Sequence, residues 1–218
     1  MINVNIIFDI IGVIAFAVSG TLVAMKHKMD IIGAIILANV TSFGGGVTRD
    51  LLIGCTPKLL TDPIYFLYAG IATGTSILLM ILTVTVKPFA SGTQSKPFNY
   101  TLNIMDAIGL APFCIVGVNI GIENGYDGIF LLCVIGCISG CGGGILRDVF
   151  AHRIPIIFRK YIYLLPCLLG VLSYVLLLPV NTVLAYVVGI TLIVGGRLIG
   201  IFFKVNMPVI KLTNDEEE

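Results

Sequence analysis

The chain has 218 residues, of which 57% are hydrophobic and 11% charged, with a mean hydropathy of +1.06. A soluble domain carries about 25% charged residues to cover its surface, so a water-exposed globule is excluded and lipid must cover much of this chain. The formal net charge of +1 excludes a bulk field for nucleic acid or acidic partners.

A helix that crosses a bilayer needs roughly 20 mainly apolar residues. Seven segments meet this in chain order: 4–25, 30–54, 63–86, 102–122, 128–150, 161–179 and 183–203. The start, MINVNIIFDI, has no basic region and is read as part of a retained first span. The longest polar stretch runs from Lys87 to Thr101, with Pro88 and Pro97, and reads as a linker between two halves. Four units follow: 1–90, 91–180 including the linker, a seventh span over 181–205, and an acidic cytoplasmic tail over 206–218. Basic residues collect on the cytoplasmic side of membrane proteins. Here one side receives Lys26, Lys28, Lys87, Lys96, Arg153, Arg159, Lys160, Lys204 and Lys211, and the other Lys58, with Arg49 near the membrane edge. This predicts a multi-pass protein with its N-terminus outside and its C-terminus in the cytoplasm.

The sequence is internally duplicated. Gly44-Gly45-Gly46-Val47-Thr48-Arg49-Asp50 recurs as Gly142-Gly143-Gly144-Ile145-Leu146-Arg147-Asp148, and the same spacing brings Pro57 onto Pro155 and Tyr65 onto Tyr163. One residue of slippage upstream brings Gly12 onto Gly109, Phe16 onto Phe113 and Gly20 onto Gly117, with Asp9 beside the match to Asp106. Each copy holds three spans. An odd number forces the second copy to enter from the opposite side, so the expected fold is all-α: two inverted three-helix repeats plus a seventh helix. Such folds place an ion or substrate path at the repeat interface.

Four groups of residues are candidates for that path. Glycine is costly inside a helix, and broken helices persist at membrane depth where they line a cavity. The triplets Gly44–Gly46 and Gly142–Gly144 are therefore expected to break or kink their helices beside a pore; the plainer alternative is close helix packing. The charges Arg49, Asp50, Arg147 and Asp148 are costly in a span and usually face the bundle interior. They read as a selectivity lining, as clamps on a helix break, or as both. Sequence neighbours do not face each other on a helix, so each is expected to find a partner other than its neighbour. Asp9 and Asp106 lie near the expected starts of helices one and four, as partners of the helix dipole or as cation-attracting mouth residues. Phe16 and Phe113, with Ser19 on the same face, read as ordinary packing or as a hydrophobic gate, and Pro112 is expected to kink the fourth span.

The six cysteines, Cys55, Cys114, Cys133, Cys137, Cys141 and Cys167, lie in or beside apolar segments. One helix cannot wrap three thiols around a metal, so Cys133, Cys137 and Cys141 are read as packing, and no metal or cofactor is expected. His27 and His152 flank basic residues at a membrane surface, and His152 and Arg153 with Arg159 and Lys160 suit contact with anionic lipid. The triplets lack the Lys-Ser/Thr of a nucleotide loop, and no other enzyme signature occurs.

The two Gly-Gly-Gly-x-x-Arg-Asp motifs, each closing the second helix of a three-helix repeat and each followed by Pro, resemble the prokaryotic branch of the TRIC family, the trimeric intracellular cation channels. The resemblance covers nearly the whole chain. It implies a homotrimer in a bacterial or archaeal cell membrane, one ion path per protomer, and permeation of potassium, with sodium as a second candidate. The path-lining residues it implies are Gly44, Gly45, Gly46, Gly142, Gly143 and Gly144, with Arg49, Asp50, Arg147 and Asp148 adjacent. Animal members bind a phosphoinositide at a Lys-Glu-Val element that this sequence lacks. Some prokaryotic relatives are called glycine transporters, which keeps a secondary transporter of a small amino acid as the alternative function.

Overall fold

The structure is a computed structural model that describes residues 4–85, 96–159 and 162–205. The expected linker from Lys87 through residue 95, Lys160, Lys211 and the acidic tail lie outside the described residues. In chain order the helices are α1 (Val4–Lys26), α2 (Ile31–Leu52), the single turn α3 (Lys58–Thr61), α4 (Ile64–Thr85), α5 (Lys96–Glu123), α6 (Ile129–Phe150), the single turn α7 (Ile156–Arg159), α8 (Leu164–Leu177) and α9 (Thr182–Phe203). Among the described residues, six are long and apolar enough to span a bilayer, and α8 is a shorter apolar helix. Its 14 residues reach about 21 Å at 1.5 Å per residue, less than the expected segment 161–179; at its end Leu178 keeps helical backbone and bonds the Tyr174 carbonyl, and Pro179 has no amide to carry the ladder further.

Local signals set the helix ends. Asp30 caps α2 by accepting from the Gly33 amide at 2.7 Å, and Asn181 caps α9 by accepting from the Leu184 amide at 3.0 Å; a side-chain cap satisfies one of the orphan donors of a first turn. The start of α5 lies at Lys96, several residues earlier than expected. Pro97 permits this, since the first turn has no use for the missing amide. The helix also runs on through Pro112.

Helices α1, α2 and α4 form one bundle and α5, α6 and α8 the other, with α9 against α8 and α5. The bundles meet through α1 on α5 and α2 on α6. Reciprocal contacts reveal the pseudo-two-fold relation. Phe113 lies over Gly12 as Phe16 lies over Gly109. Gly20 abuts Thr41 as Gly117 abuts Ser139. The two turns that lead to α3 and α7 carry the same cap at opposite ends of the bundle. At the basic end, the Lys26 ammonium donates to Asn99 at 2.7 Å. At the other end, Lys58 pairs with Glu123 at 3.2 Å and the Tyr126 hydroxyl donates to the Ile53 carbonyl.

The described surface is rich in exposed Leu, Ile, Val and Phe, among them Phe66, Leu67, Phe130, Val183 and Phe203. In water such a surface would aggregate; in a bilayer it is the ordinary lipid-facing exterior. The interior instead holds Arg49, Asp50, Asp106, Arg147, Asp148 and Arg197.

Candidate functional site

The expected helix breaks are absent. Both α2 and α6 run as uninterrupted α-helix through Gly44–Gly46 and Gly142–Gly144. The triplets serve close approach instead. A Cβ on Gly45 would lie 2.1 Å from the Ser139 carbonyl oxygen, and one on Gly143 would lie 2.0 Å from that of Thr41. No side chain fits there, and the two backbones touch where any other residue would hold them apart. Gly44 faces Leu146 and Gly142 faces the Gly45 Cα. The pattern of three small residues could not by itself separate a broken helix from a close crossing, because both require glycine.

The arginine–aspartate pairs also differ from expectation. Arg49 donates from Nε at 2.8 Å and from Nη2 at 2.6 Å to the carboxylate of its own neighbour, Asp50. Arg147 likewise donates from Nε to Asp148 at 2.8 Å. The helical-spacing argument overlooked the length of arginine, whose guanidinium folds back around the helix to its neighbour's carboxylate. Each arginine then reaches into the other repeat: Arg49 Nη1 donates to Ser139 Oγ at 2.9 Å, and Arg147 Nη1 donates to Ser19 Oγ. The second oxygen of each aspartate accepts a backbone amide at the start of the following short turn, Lys58 for Asp50 and Ile156 for Asp148, both at 2.9 Å. Each pair therefore clamps a helix end, a re-entrant turn and the opposite repeat. Charge-assisted hydrogen bonds of this kind contribute about 1.5–3 kcal/mol apiece.

The two halves diverge around these clamps. Asp9, Arg49, Asp50, Tyr65, Tyr68, Ser42, Phe113 and Ser139 line a small cleft of about 30 Å³ at the end of the bundle away from Lys26. The equivalent place in the second half, among Gly144, Arg147, Asp148, Pro155 and Tyr163, is packed shut. Asp106 lies well inside α5, fully buried, rather than at a helix start. It accepts from Arg147 at 2.7 Å and from Arg197 of α9 at 3.3 Å. The Arg197 guanidinium also stacks 3.9 Å above the Tyr163 ring, a favourable cation–π arrangement. Arg153 adds a third cation by donating from Nε to Asp148 at 3.0 Å. Asp9, the counterpart of Asp106, makes no hydrogen bond or ion pair among the described residues.

Between the halves, the Phe16 and Phe113 rings meet with centroids 5.2 Å apart, and Phe113 lines the open cleft. Ser19 lies on the far side of this contact, bound to Arg147. Cys114, Cys133, Cys137, Cys141 and Cys167 pack in one apolar cluster beside the closed half, with Cys141 and Cys167 sulfurs 4.0 Å apart. Sequence reasoning missed Arg197, because the seventh span has no repeat partner to draw attention to it. The signal was present: a lone arginine within an apolar span.

An all-helical bundle with inverted repeats, buried charge at their interface and a cleft open on one side defines a membrane protein of the channel and transporter class. Comparison with known proteins narrows this. The sequence profile of a family described as "Glycine transporter" matches residues 6–83 and 103–179. A UPF0126 membrane protein of Vibrio cholerae is 35% identical over 214 residues, which cover 95% of this chain and 83% of that protein. The UPF0126 inner membrane protein YadS of Escherichia coli K12 is 33% identical over 210 residues, 94% of this chain and 95% of that one. Among solved structures, the TRIC trimeric intracellular cation channel orthologue of Rhodobacter sphaeroides superposes with a TM-score of 0.80 at 30% identity, covering 92% of this chain and 98% of that one. A prokaryotic TRIC channel crystallised in 0.5 M KCl superposes with a TM-score of 0.82 at 28% identity, covering 93% and 98%. The chain belongs to the prokaryotic TRIC family, together with the UPF0126 membrane proteins.

Proposed function

We propose that the protein is a passive monovalent-cation channel, chiefly for potassium, with a path through each protomer between the inverted repeats. The likeness to TRIC cation channels over more than nine-tenths of the chain is the observation that carries this reading. The site agrees with it. Asp9, Arg49 and Asp50 sum to one negative charge at the open cleft, a sign that draws cations in and repels anions. The path runs from this cleft past Phe16 and Phe113 toward the Arg147–Asp148 clamp, and in the conformation described it is closed at the second half.

Three copies of the chain form the channel, as in the trimeric structural relatives. The protein sits in the bacterial or archaeal cell membrane, with the Asp9 cleft facing outside and the Arg153 end facing the cytoplasm and its anionic lipid. Planar-bilayer recording on the purified protein tests the channel. The expected result is unitary current steps that reverse at the potassium equilibrium potential.

A second reading, a secondary transporter of a small amino acid such as glycine, draws on one feature: one half of the repeat pair is open while the other is shut, as alternating access requires. Silent bilayers together with counterflow of labelled glycine in liposomes would select it over the channel.

A further inference from the structure

Pseudo-symmetry makes one half of this protein a template for the other. In the second half, the Arg197 cation meets the Asp106 carboxylate, at 3.3 Å from its Nη2, and the Tyr163 ring, 3.9 Å below the guanidinium carbon. That cation comes from α9, which belongs to neither repeat. Both groups that hold it have counterparts in the first half. Asp106 corresponds to Asp9 and Tyr163 to Tyr65. Asp9 and Tyr65 line the same cleft.

Among the described residues, the first half has no equivalent of α9. Its remaining charges are also arranged for a guest. Arg49 is engaged by Asp50 and Ser139, and Lys58 is engaged by Glu123 and lies outside the cleft lining. Asp9 is left facing the cleft with no ion-pair partner among the described residues. In the second half the same trio of one arginine and two aspartates is over-neutralised by Arg197 and Arg153. In the first half the trio keeps its negative charge.

We propose that the Asp9 carboxylate and the Tyr65 ring form a binding site for a small organic cation of guanidinium type, the open counterpart of the place that Arg197 fills from within the chain. The carboxylate supplies charge-assisted hydrogen bonds, and the ring supplies a flat, electron-rich face on which a guanidinium is weakly hydrated and stacks well. The Tyr65 and Tyr68 rings pack T-shaped with centroids 5.4 Å apart, and Phe43 packs tilted against Tyr65 at 6.4 Å, which holds the Tyr65 ring in place. The site deepens the reading of the cleft as a cation entrance and rests on it for sign, but not on conduction.

The test is saturation-transfer NMR with methylguanidinium on the purified full-length protein in detergent. Wild type transfers saturation to the methyl protons. Asp9→Asn lowers the affinity by about tenfold or more, as loss of a hydrogen-bonded charge does, and Tyr65→Leu weakens it by about threefold or more through the lost ring face. Asp9 binds no other side chain among the described residues, so the D9N fold, checked by circular dichroism and gel filtration, stays intact. Absence of transfer to wild type, or an affinity unchanged in D9N, overturns the site. A silent bilayer sinks the channel reading and leaves this one standing, because binding is measured without current.

Discussion

Gly45 and Gly143 meet backbone to backbone at the crossing of α2 and α6: a Cβ built on Gly45 would lie 3.1 Å from the Gly143 amide nitrogen. Each glycine also faces a carbonyl oxygen of the opposite helix at about 2 Å from its own missing Cβ, so even one methyl group forces the helices apart. Gly45→Ala and Gly143→Ala are each expected to destabilise by about 1–3 kcal/mol through overpacking. Gly46→Ala is the control. Its Cβ meets nothing nearer than Arg49 Nη2 at 3.6 Å, and it gains up to about 1 kcal/mol of helix propensity. Thermal unfolding in detergent ranks the three, and a G46A less stable than the other two would refute the assignment.

Phe16 is buried and Phe113 half-buried, and their contact fills the middle of the molecule. Phe16→Ala is expected to cost about 3–5 kcal/mol as a core truncation, with Phe113→Ala costing less. If the rings close the path, potassium efflux from proteoliposomes rises in Phe113→Ala at equal protein content. Efflux equal to wild type would reduce the pair to packing.

The two clamps predict an asymmetry in their loss. Asp148 holds Arg147, Arg153 and the Ile156 amide in a closed, dry half. Asp50 holds Arg49 and the Lys58 amide beside the open cleft. Breaking a buried pair from one side costs about 3–5 kcal/mol, because the remaining charge is stranded. Asp148→Asn is expected to cost near that range, and Asp50→Asn less, since Asp148 pairs with two arginines and Asp50 with one. Chemical denaturation of the two variants compares them directly; a larger loss in Asp50→Asn would contradict this ranking.

His27 lies in the turn after α1, outside the spans. Its imidazole is held below the usual value of 6.5 by desolvation first, then by the positive charges of Arg153 and Lys26. A histidine lowered in the folded state favours the neutral form. Its contribution is therefore complete above the unfolded value of about 6.5 and is lost as pH falls through the folded value. The side chain is exposed, so the effect on stability is small. The direct measurement is an NMR titration of His27, which is expected to move up in Arg153→Gln. A value that stays put would mean that Arg153 does not lie over this turn.

The sequence by itself determined the membrane class, the spans to within a few residues and the duplication, because these rest on hydropathy and on the recurrence of rare residue types. The inverted relation followed from the count of three spans per copy. Residue patterns also singled out the glycine triplets and the Arg-Asp pairs. What the glycines do was decided only by the crossing of α2 on α6, since a missing side chain is equally consistent with a broken helix and with two touching ones. Partner choice was likewise tertiary: Arg49 and Arg147 turn back to their own neighbours because the surrounding backbone leaves each carboxylate between a guanidinium and a turn amide. Arg197 belongs wholly to the tertiary structure. Only packing of α9 against the second repeat shows that a residue distant in sequence fills one of two like sites and leaves the other open.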